Sequence, residues 1–317
     1  MSQVRVRWIG EDGDVRSGSE DSLPVVGGPW AWIDIADPDQ ETLDRIAIPL
    51  GLHPLALEDS YKPQARAKLD LYPEGPFLVW LSPRLGDDGV IVHDELDIHL
   101  SARHLVTIHR GRVEAIDILM EDALRAMPQG PDWVLHGILD RMVDALMPVV
   151  DGIGDRIEAI EDRMLDDPQH FDLQELYRIR RQLLLMHRSL APQRDLVRAL
   201  ARERDFVSED AYRYFDDVVD HLTYVEQALD TYREVVSAVM DIYLSAQSNR
   251  LNEVMKVLTV VTVILGAATL ISGIYGMNLL GGMWPPPESS LGFGAAIVMM
   301  VVVGVAMSVY FRRKNWW

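Results

Sequence analysis

Residues 252–278 read Asn252-Glu-Val-Met-Lys-Val-Leu-Thr-Val-Val-Thr-Val-Ile-Leu-Gly-Ala-Ala-Thr-Leu-Ile-Ser-Gly-Ile-Tyr-Gly-Met-Asn278. No charged residue occurs between Val257 and Pro287. A helix needs about 20 apolar residues to cross a bilayer core, and this run supplies them. A second uncharged run, Leu291 to Phe311, follows a short Gly/Pro-rich loop. Lipid offers no hydrogen bonds, so each segment must satisfy its own backbone. The two runs therefore predict a helical hairpin through a membrane, with spans at about 255–276 and 291–311. Arg250 and Lys256 flank the first span, and Arg312, Arg313 and Lys314 follow the second. The loop carries Glu288 and no Lys or Arg. Positive residues stay on the cytoplasmic side, which predicts both termini inside and the loop outside. A buried hairpin in a soluble protein is the weaker alternative.

The faces of the first span differ. Asn252, Met255, Thr259, Thr262, Gly266, Thr269 and Gly273 recur at steps of three or four, as a polar or small stripe. Val257, Val261, Ile264, Leu265, Leu270 and Ile271 fall largely elsewhere. Such a stripe lines water or packs closely against another helix. One stripe per chain cannot enclose a pore, so a pore would need several copies around an axis.

The chain has 317 residues and a formal charge of −19. Residues 251–317 carry a net +2, which leaves −21 on the first 250. An acidic soluble part argues against nucleic acid, whose binders need a basic face. It suits cations, although ordinary solubility explains it equally well. No cysteine is present, so disulfides and thiolate metal sites are excluded. Met1-Ser-Gln-Val-Arg-Val-Arg-Trp lacks an apolar core, so no cleaved signal peptide is expected.

Residues 3–9 and 30–35 alternate as strands. The Gly/Ser/Asp-rich stretch 10–28 predicts a loop or hairpin. Asp37-Pro-Asp-Gln-Glu predicts a capped helix to about Leu50, and His53-Pro starts a short one. Lys68–Leu85 reads as strand interrupted at Pro73-Glu-Gly-Pro76, and Gly86–Gly89 as a turn. Glu95–Leu100 and His104–His109 alternate as a hairpin. Residues 1–112 are thus expected to form an α/β domain, and 113–253 a helical domain and stalk. The transmembrane hairpin and a short tail occupy 254–317. Helices are expected over Val113–Met127, Asp132–Asp166 and Leu173 to about Arg204, with a fourth from Ser208. In the fourth, Phe215, Val218, Leu222, Val225, Leu229, Tyr232, Val236, Val239 and Tyr243 continue the spacing into the first span. At 1.5 Å per residue this rod would reach about 100 Å, and its seam suggests side-by-side association.

Tyr275-Gly276-Met277-Asn278, at the outer end of the first of two C-terminal spans, resembles the signature of the CorA family of divalent-cation (magnesium/cobalt) channels. Its position, Ser248-Asn-Arg-Leu-Asn-Glu-Val-Met-Lys-Val-Leu258, the short loop and the basic C-terminus strengthen the resemblance. So do His53-Pro-Leu-Ala-Leu-Glu58-Asp59 and Tyr214-Phe-Asp-Asp217-Val-Val-Asp-His221. The resemblance covers most of the chain. It implies an α+β membrane protein of the cell (inner) membrane: an N-terminal α/β cytoplasmic domain, a long stalk helix and two C-terminal transmembrane helices per chain, in a homopentamer. Five copies of the first span would surround the pore, with lipid outside. Gly276, Met277 and Asn278 would form the selectivity filter. Asn252, Met255, Leu258, Thr269 and Gly273 match pore-lining positions, and Thr259, Thr262 and Gly266 extend the stripe between them. Glu58, Asp59 and Asp217 match a regulatory metal site between neighbouring subunits, and Asp241 a stalk position. Mg²⁺ would be both transported and regulatory, with Co²⁺, Ni²⁺ or Zn²⁺ as alternatives.

The sequence also departs from the family pattern. Ala267 stands where many relatives carry Pro, and Gly266 replaces a bulky residue. Gly281-Gly282 resembles the ZntB branch, associated with Zn²⁺. The expected function is Mg²⁺ uptake through a channel gated by cytoplasmic metal. The alternatives are a ZntB-like Zn²⁺ transporter and a non-conducting membrane-anchored sensor or scaffold. No enzymatic activity is expected. His53 lies five and six residues from Glu58 and Asp59, and His99, His104 and His109 sit at odd separations on strands. His221, four residues from Asp217, reads as a hydrogen-bond partner rather than a ligand. Neither a nucleophile elbow nor a phosphate loop is present.

Overall fold

The computed structural model describes residues 2–25, 30–62, 66–86, 90–168, 171–277 and 290–316. The chain divides into two compact units, Met1–Arg163 with Asp172–Ser237, and Met164–Phe171 with Ala238–Trp317. The turn residues 87–89 and the loop 278–289, which includes Asn278, Gly281, Gly282 and Glu288, lie outside the described residues.

The first unit is built on a seven-stranded sheet. Its strands are β1 (Gln3–Ile9), β2 (Val15–Gly18), β3 (Ala31–Ala36), β4 (Lys68–Tyr72), β5 (Gly75–Leu85), β6 (Ile91–Leu100) and β7 (His104–His109), in the order β2-β1-β3-β7-β6-β5-β4. Among the described residues β3 and β7 pair in parallel, and the other neighbours pair antiparallel. Helices α1 (Gln40–Leu50) and α2 (Pro54–Tyr61) supply the crossover after β3. The expected caps form: Asp39 accepts from the Thr42 amide at 2.8 Å, and His53 Nδ1 from the Leu55 amide at 3.3 Å. Strand alternation decides the faces. Ala31, Ile33 and Ile35 join Val6, Leu43, Ile46, Val106 and Ile108 in one buried cluster.

The opposite face of β3 buries Trp32 and Asp34 completely. Asp34 accepts from Arg5 Nη2 at 2.7 Å, Arg5 Nε at 3.0 Å and the Thr107 hydroxyl at 2.7 Å. His109 Nε2 approaches it at 3.2 Å, outside good hydrogen-bond alignment, while Arg5 also reaches Asp117 at 2.6 Å. Burial alone would raise the Asp34 carboxyl. His109, Thr107 and Arg5 outweigh it and hold Asp34 below the ordinary carboxylate range.

A second buried acid is less well compensated: Ser60 and Arg110 favour its charged form but do not outweigh burial. Asp97, 2 % exposed, has one oxygen with no hydrogen bond. Burial, reinforced by Glu95, pushes its carboxyl up from 3.8 to about 7. Between those values the folded chain holds a proton that the unfolded chain has lost, so stability falls as pH rises through that window. Asp97→Asn is expected to stabilise the protein by roughly 2–4 kcal/mol at pH 8 and to change little at pH 4. Thermal unfolding of the detergent-solubilised chain at both pH values checks this. Equal shifts at the two would refute it.

The helical region differs in three places from the sequence expectation. Val113–Met127 is not one helix: α3 (Glu114–Glu121) and α4 (Ala123–Ala126) meet at Asp122, and a 3₁₀ turn follows. Asp132–Asp166 is also split, into α5 (Pro131–Asp144) and α6 (Met147–Asp166). Pro148 has no N–H for the Asp144 carbonyl, so a continuous helix would lose that bond. By contrast, α7 (Leu173–Leu200) runs through Pro192. The fourth helix, α8 (Glu209–Tyr275), has 67 residues and starts where expected. Ser208 caps it, its hydroxyl accepting from the Ala211 amide at 3.3 Å and donating to Asp132 at 2.6 Å. The third difference concerns the seam. Phe215, Val218, Leu222, Val225 and Leu229 are fully buried within a single chain. Gly154 of α6 packs so closely on Tyr232 that a Cβ there would lie 2.4 Å from the phenol oxygen. This part of the seam is satisfied by the chain itself and gives no argument for association.

The second unit contains the end of α8 and helix α9 (Ser290–Arg313), both apolar and long enough to cross a membrane.

Candidate ion pathway and metal centre

The end of α8 presents two opposed faces. Val260 is buried, and Ile264, Ala267, Ala268 and Ile271 are half-buried. These residues share one side of the helix. Small residues of α9 allow close approach there: Ala296 is 6 % exposed, and a Cβ on Gly304 would touch Ile264 at 3.9 Å. The polar stripe lies roughly 180° away at about 100° per residue. Asn252, Met255, Leu258, Thr262, Gly266, Thr269 and Gly273 are exposed in the single chain, and Thr259 is half-buried. Close packing of the stripe against α9 is therefore ruled out. The hydroxyls of Thr259, Thr262 and Thr269 donate to the carbonyls of Met255, Leu258 and Leu265 at 2.7, 2.7 and 2.8 Å. Each hydroxyl oxygen keeps lone pairs to offer to water or a cation. A Cβ on Gly266 or Gly273 would meet nothing within 4 Å. At the end of the stripe Gly276 donates to the Ser272 carbonyl at 3.0 Å, and Met277 is 51 % exposed.

The acids of the first unit fall into two groups. Glu58 is exposed on α2, and Asp59 beside it pairs with Lys68. Lys68 also holds Asp70 at 2.7 Å. Burial would lower the Lys68 ammonium, but the two carboxylates outweigh it and raise it. Asp217 is on α8 and lies beside His221, so its neighbour differs from that of Asp59. Asp241 is exposed in the second unit.

A further cluster among the described residues was not foreseen from the sequence. Asp140 and Asp144, one turn apart on α5, meet His221 of α8, and their ligand atoms all lie within 4.8 Å of one another. His221 does not bond Asp217 as expected. Its Nε2 is 3.9 Å from Asp217, and its Nδ1 is 3.8 Å from Asp144, buried without a hydrogen bond. Burial, with the charges of Asp144 and Asp217, raises Asp140. Two carboxylates and an imidazole can hold a divalent cation, and the nitrogen favours Zn²⁺ or Co²⁺ over Mg²⁺. The i, i+4 acids were visible in the sequence. Their partner, about 80 residues away, needed the fold.

Comparison with known proteins gives a consistent picture. A family model described as CorA-like Mg²⁺ transporter protein matches residues 28–313. The cobalt/magnesium transport protein CorA of Thermotoga maritima is 27% identical over 292 residues, 90% of this chain and 83% of that protein. The zinc transport protein ZntB of Klebsiella pneumoniae is 26% identical over 225 residues, 69% of this chain and 67% of that protein. Among solved structures, the complete CorA magnesium transporter from Methanocaldococcus jannaschii has the same fold. It superposes with a TM-score of 0.84 at 24% identity, over 99% of this chain and 98% of the other.

Proposed function

Because the chain belongs to the CorA-like family of Mg²⁺ transporter proteins, we propose that it carries a hydrated divalent cation, Mg²⁺ first, into the cytoplasm along the stripe of α8. The observation that carries this reading is that stripe. It is mostly polar or small, faces away from α9 and, among the described residues, is exposed in the single chain except at half-buried Thr259. Copies arranged around an axis would line a water-filled path with it. In this reading Gly276 and Met277 at the end of the stripe, with Asn278 next in the sequence, supply the filter on the outer side. Mg²⁺ gives up water reluctantly, so a ring of amide and carbonyl oxygens bonding the hydration shell selects without trapping. Met255 and Leu258 form an apolar constriction that can close by dewetting. A divalent ion gains about 4.6 kcal/mol per 100 mV, enough for roughly three decades of accumulation without proton coupling.

The cytoplasmic acids supply the regulation. Glu58, Asp59 and Asp217 bind metal between copies and hold the closed state. Asp140, Asp144 and His221 add a second position beside Asp217. Metal binding is expected to stabilise the solubilised protein by about 2.7 kcal/mol at a hundredfold excess over Kd. His221→Ala should abolish the extra shift with Zn²⁺ or Co²⁺ and spare most of that with Mg²⁺. Thermal unfolding with each ion tests this, and an unchanged Zn²⁺ shift would exclude His221 as a ligand.

The imidazole in that cluster favours a second reading, a ZntB-like Zn²⁺ transporter. Uptake into proteoliposomes at a fixed negative internal potential separates the two. Selective Mg²⁺ flux supports the first, and Zn²⁺ flux alone the second. A well-folded oligomer that passes neither ion would be a sensor or scaffold.

A further inference from the structure

The α1–α2 loop, the β4–β5 turn and the β6–β7 turn border a small recess of about 30 Å³ in the first unit. Its lining includes His53, Tyr72, Glu74, His99, Ser101 and His104. The whole chain has nine histidines, so three around a space for one or two waters is a concentration that composition does not explain.

The odd separation of His99 and His104 along the chain does not part them. The β6–β7 turn reverses direction, and Val106 stands opposite His99. His104, two residues before Val106, shares that face, and diagonal neighbours of this kind lie within reach of ring side chains. Ser101 holds the turn: its hydroxyl accepts from the His104 amide at 2.9 Å and donates to the His104 carbonyl at 3.2 Å. Gly75 lets the β4–β5 turn press on the end of β6, since a Cβ there would lie 1.9 Å from the Leu100 carbonyl oxygen. That close approach brings Glu74 to the recess.

His99 is the telling residue. It is 7 % exposed, and its Nε2 is buried with no hydrogen bond. An apolar side chain would fill the position without that cost. Burial pushes His99 down from 6.5 to about 3, and burial with the charge of Arg103 lowers His104, so both rings are neutral at pH 7. His53 is committed elsewhere. Its Nδ1 accepts from the Leu55 amide at 3.3 Å, which leaves the proton on Nε2, and its ring stacks on Tyr72 with centroids 3.9 Å apart.

We propose that the recess is a site for one nitrogen-preferring divalent cation, Zn²⁺, Co²⁺ or Ni²⁺, held by His99 Nε2, His104 and Glu74. Two imidazoles, a carboxylate and one water make a coordination set that such ions take. Mg²⁺ prefers oxygen and keeps several waters, for which there is no room. The donors are not gathered as those of Asp140, Asp144 and His221 are, so the ion closes the site by turning half-buried His104 and exposed Glu74 onto His99. The site shares no residue with the stripe of α8 or with the acids assigned to regulation, and it does not depend on which ion is carried.

Co²⁺ titration of the detergent-solubilised full chain tests this, with His221→Ala as the background that removes the imidazole of the other cluster. The expected result is the strong visible absorption of Co²⁺ held at low coordination number by nitrogen, saturating at one ion per chain. Zn²⁺ should displace it, and about a hundredfold excess of Mg²⁺ should not. His99→Leu, His104→Ala and Glu74→Gln should each weaken binding at least about tenfold. His104 and Glu74 are less buried than His99, so their variants keep the test decisive if His99→Leu does not fold. Only the weak absorption of six-coordinate Co²⁺, displacement by Mg²⁺, or parental binding in the His104 and Glu74 variants would overturn the site and leave a water in the recess. The titration reads neither flux nor assembly. Its failure therefore leaves the ion pathway standing, and absent uptake leaves this site standing.

Discussion

Asn278→Ala is expected to cut selective Mg²⁺ uptake at least about tenfold, with the oligomer intact. Under the proposed function each copy contributes one amide oxygen to a ring that bonds the water shell of the ion. A hydrogen bond to a charged partner is worth about 1.5–3 kcal/mol, and 1.4 kcal/mol is already a factor of ten. Losing several at once should exceed that factor. The loss should be specific to selection: competing monovalent cations should pass more readily relative to Mg²⁺. Asn278→Asp should fail differently. A ring of carboxylates would bind the ion more tightly and release it slowly, so the concentration for half-maximal uptake and the maximal rate should both fall. Proteoliposome uptake at fixed potential reads both quantities. Parental flux and selectivity in Asn278→Ala would place selection elsewhere on the stripe.

Asp34→Ala should destabilise the first unit by about 3–5 kcal/mol, the usual cost of removing one member of a buried ion pair. The carboxylate is fully buried and sits among Arg5, Thr107 and His109. Without it the Arg5 guanidinium keeps, among the described residues, only Asp117 as an ion-pair partner, and the buried His109 imidazole loses the charge that holds its pKa up. Burial opposes that rise, but Asp34 and the Gly111 carbonyl outweigh it. The pH profile carries a second signature. The folded-state pKa of Asp34 is depressed, so its contribution is present above about 4 and is lost as pH falls through the lower folded value. Asp34→Asn should therefore flatten the acid limb of the stability curve as well as lower its plateau. Thermal unfolding between pH 3 and 8 tests both features. A loss below about 1 kcal/mol would mean that the pair merely offsets its own desolvation.

Much of the architecture could be read from local pattern. Alternation placed β1, β3, β6 and β7, Asp39 and His53 marked helix starts, and two uncharged runs located α8 and the α9 span. The stripe of α8 was legible for the same reason, because residues three and four apart share a face whatever surrounds the helix. Periodicity says which side chains avoid water but not what covers them. The seam from Phe215 to Leu229 looked like a surface for neighbouring copies and is buried by the chain's own helices.

The sequence alone thus determined what depends on composition and spacing: the membrane hairpin, the polar face of its first helix and the residues that resemble the family's filter. The tertiary structure decided what depends on bringing distant residues together. It joined Arg5, Asp34, His109 and Asp117 from separate elements into one charged core. It also set Asp140 and Asp144 against His221, folded Trp316 back at the end of α9, and turned the stripe away from α9. The physical reason is range. Helix and strand periods act over a few residues, whereas burial and electrostatics act through space between elements whose separation in the chain carries no signal.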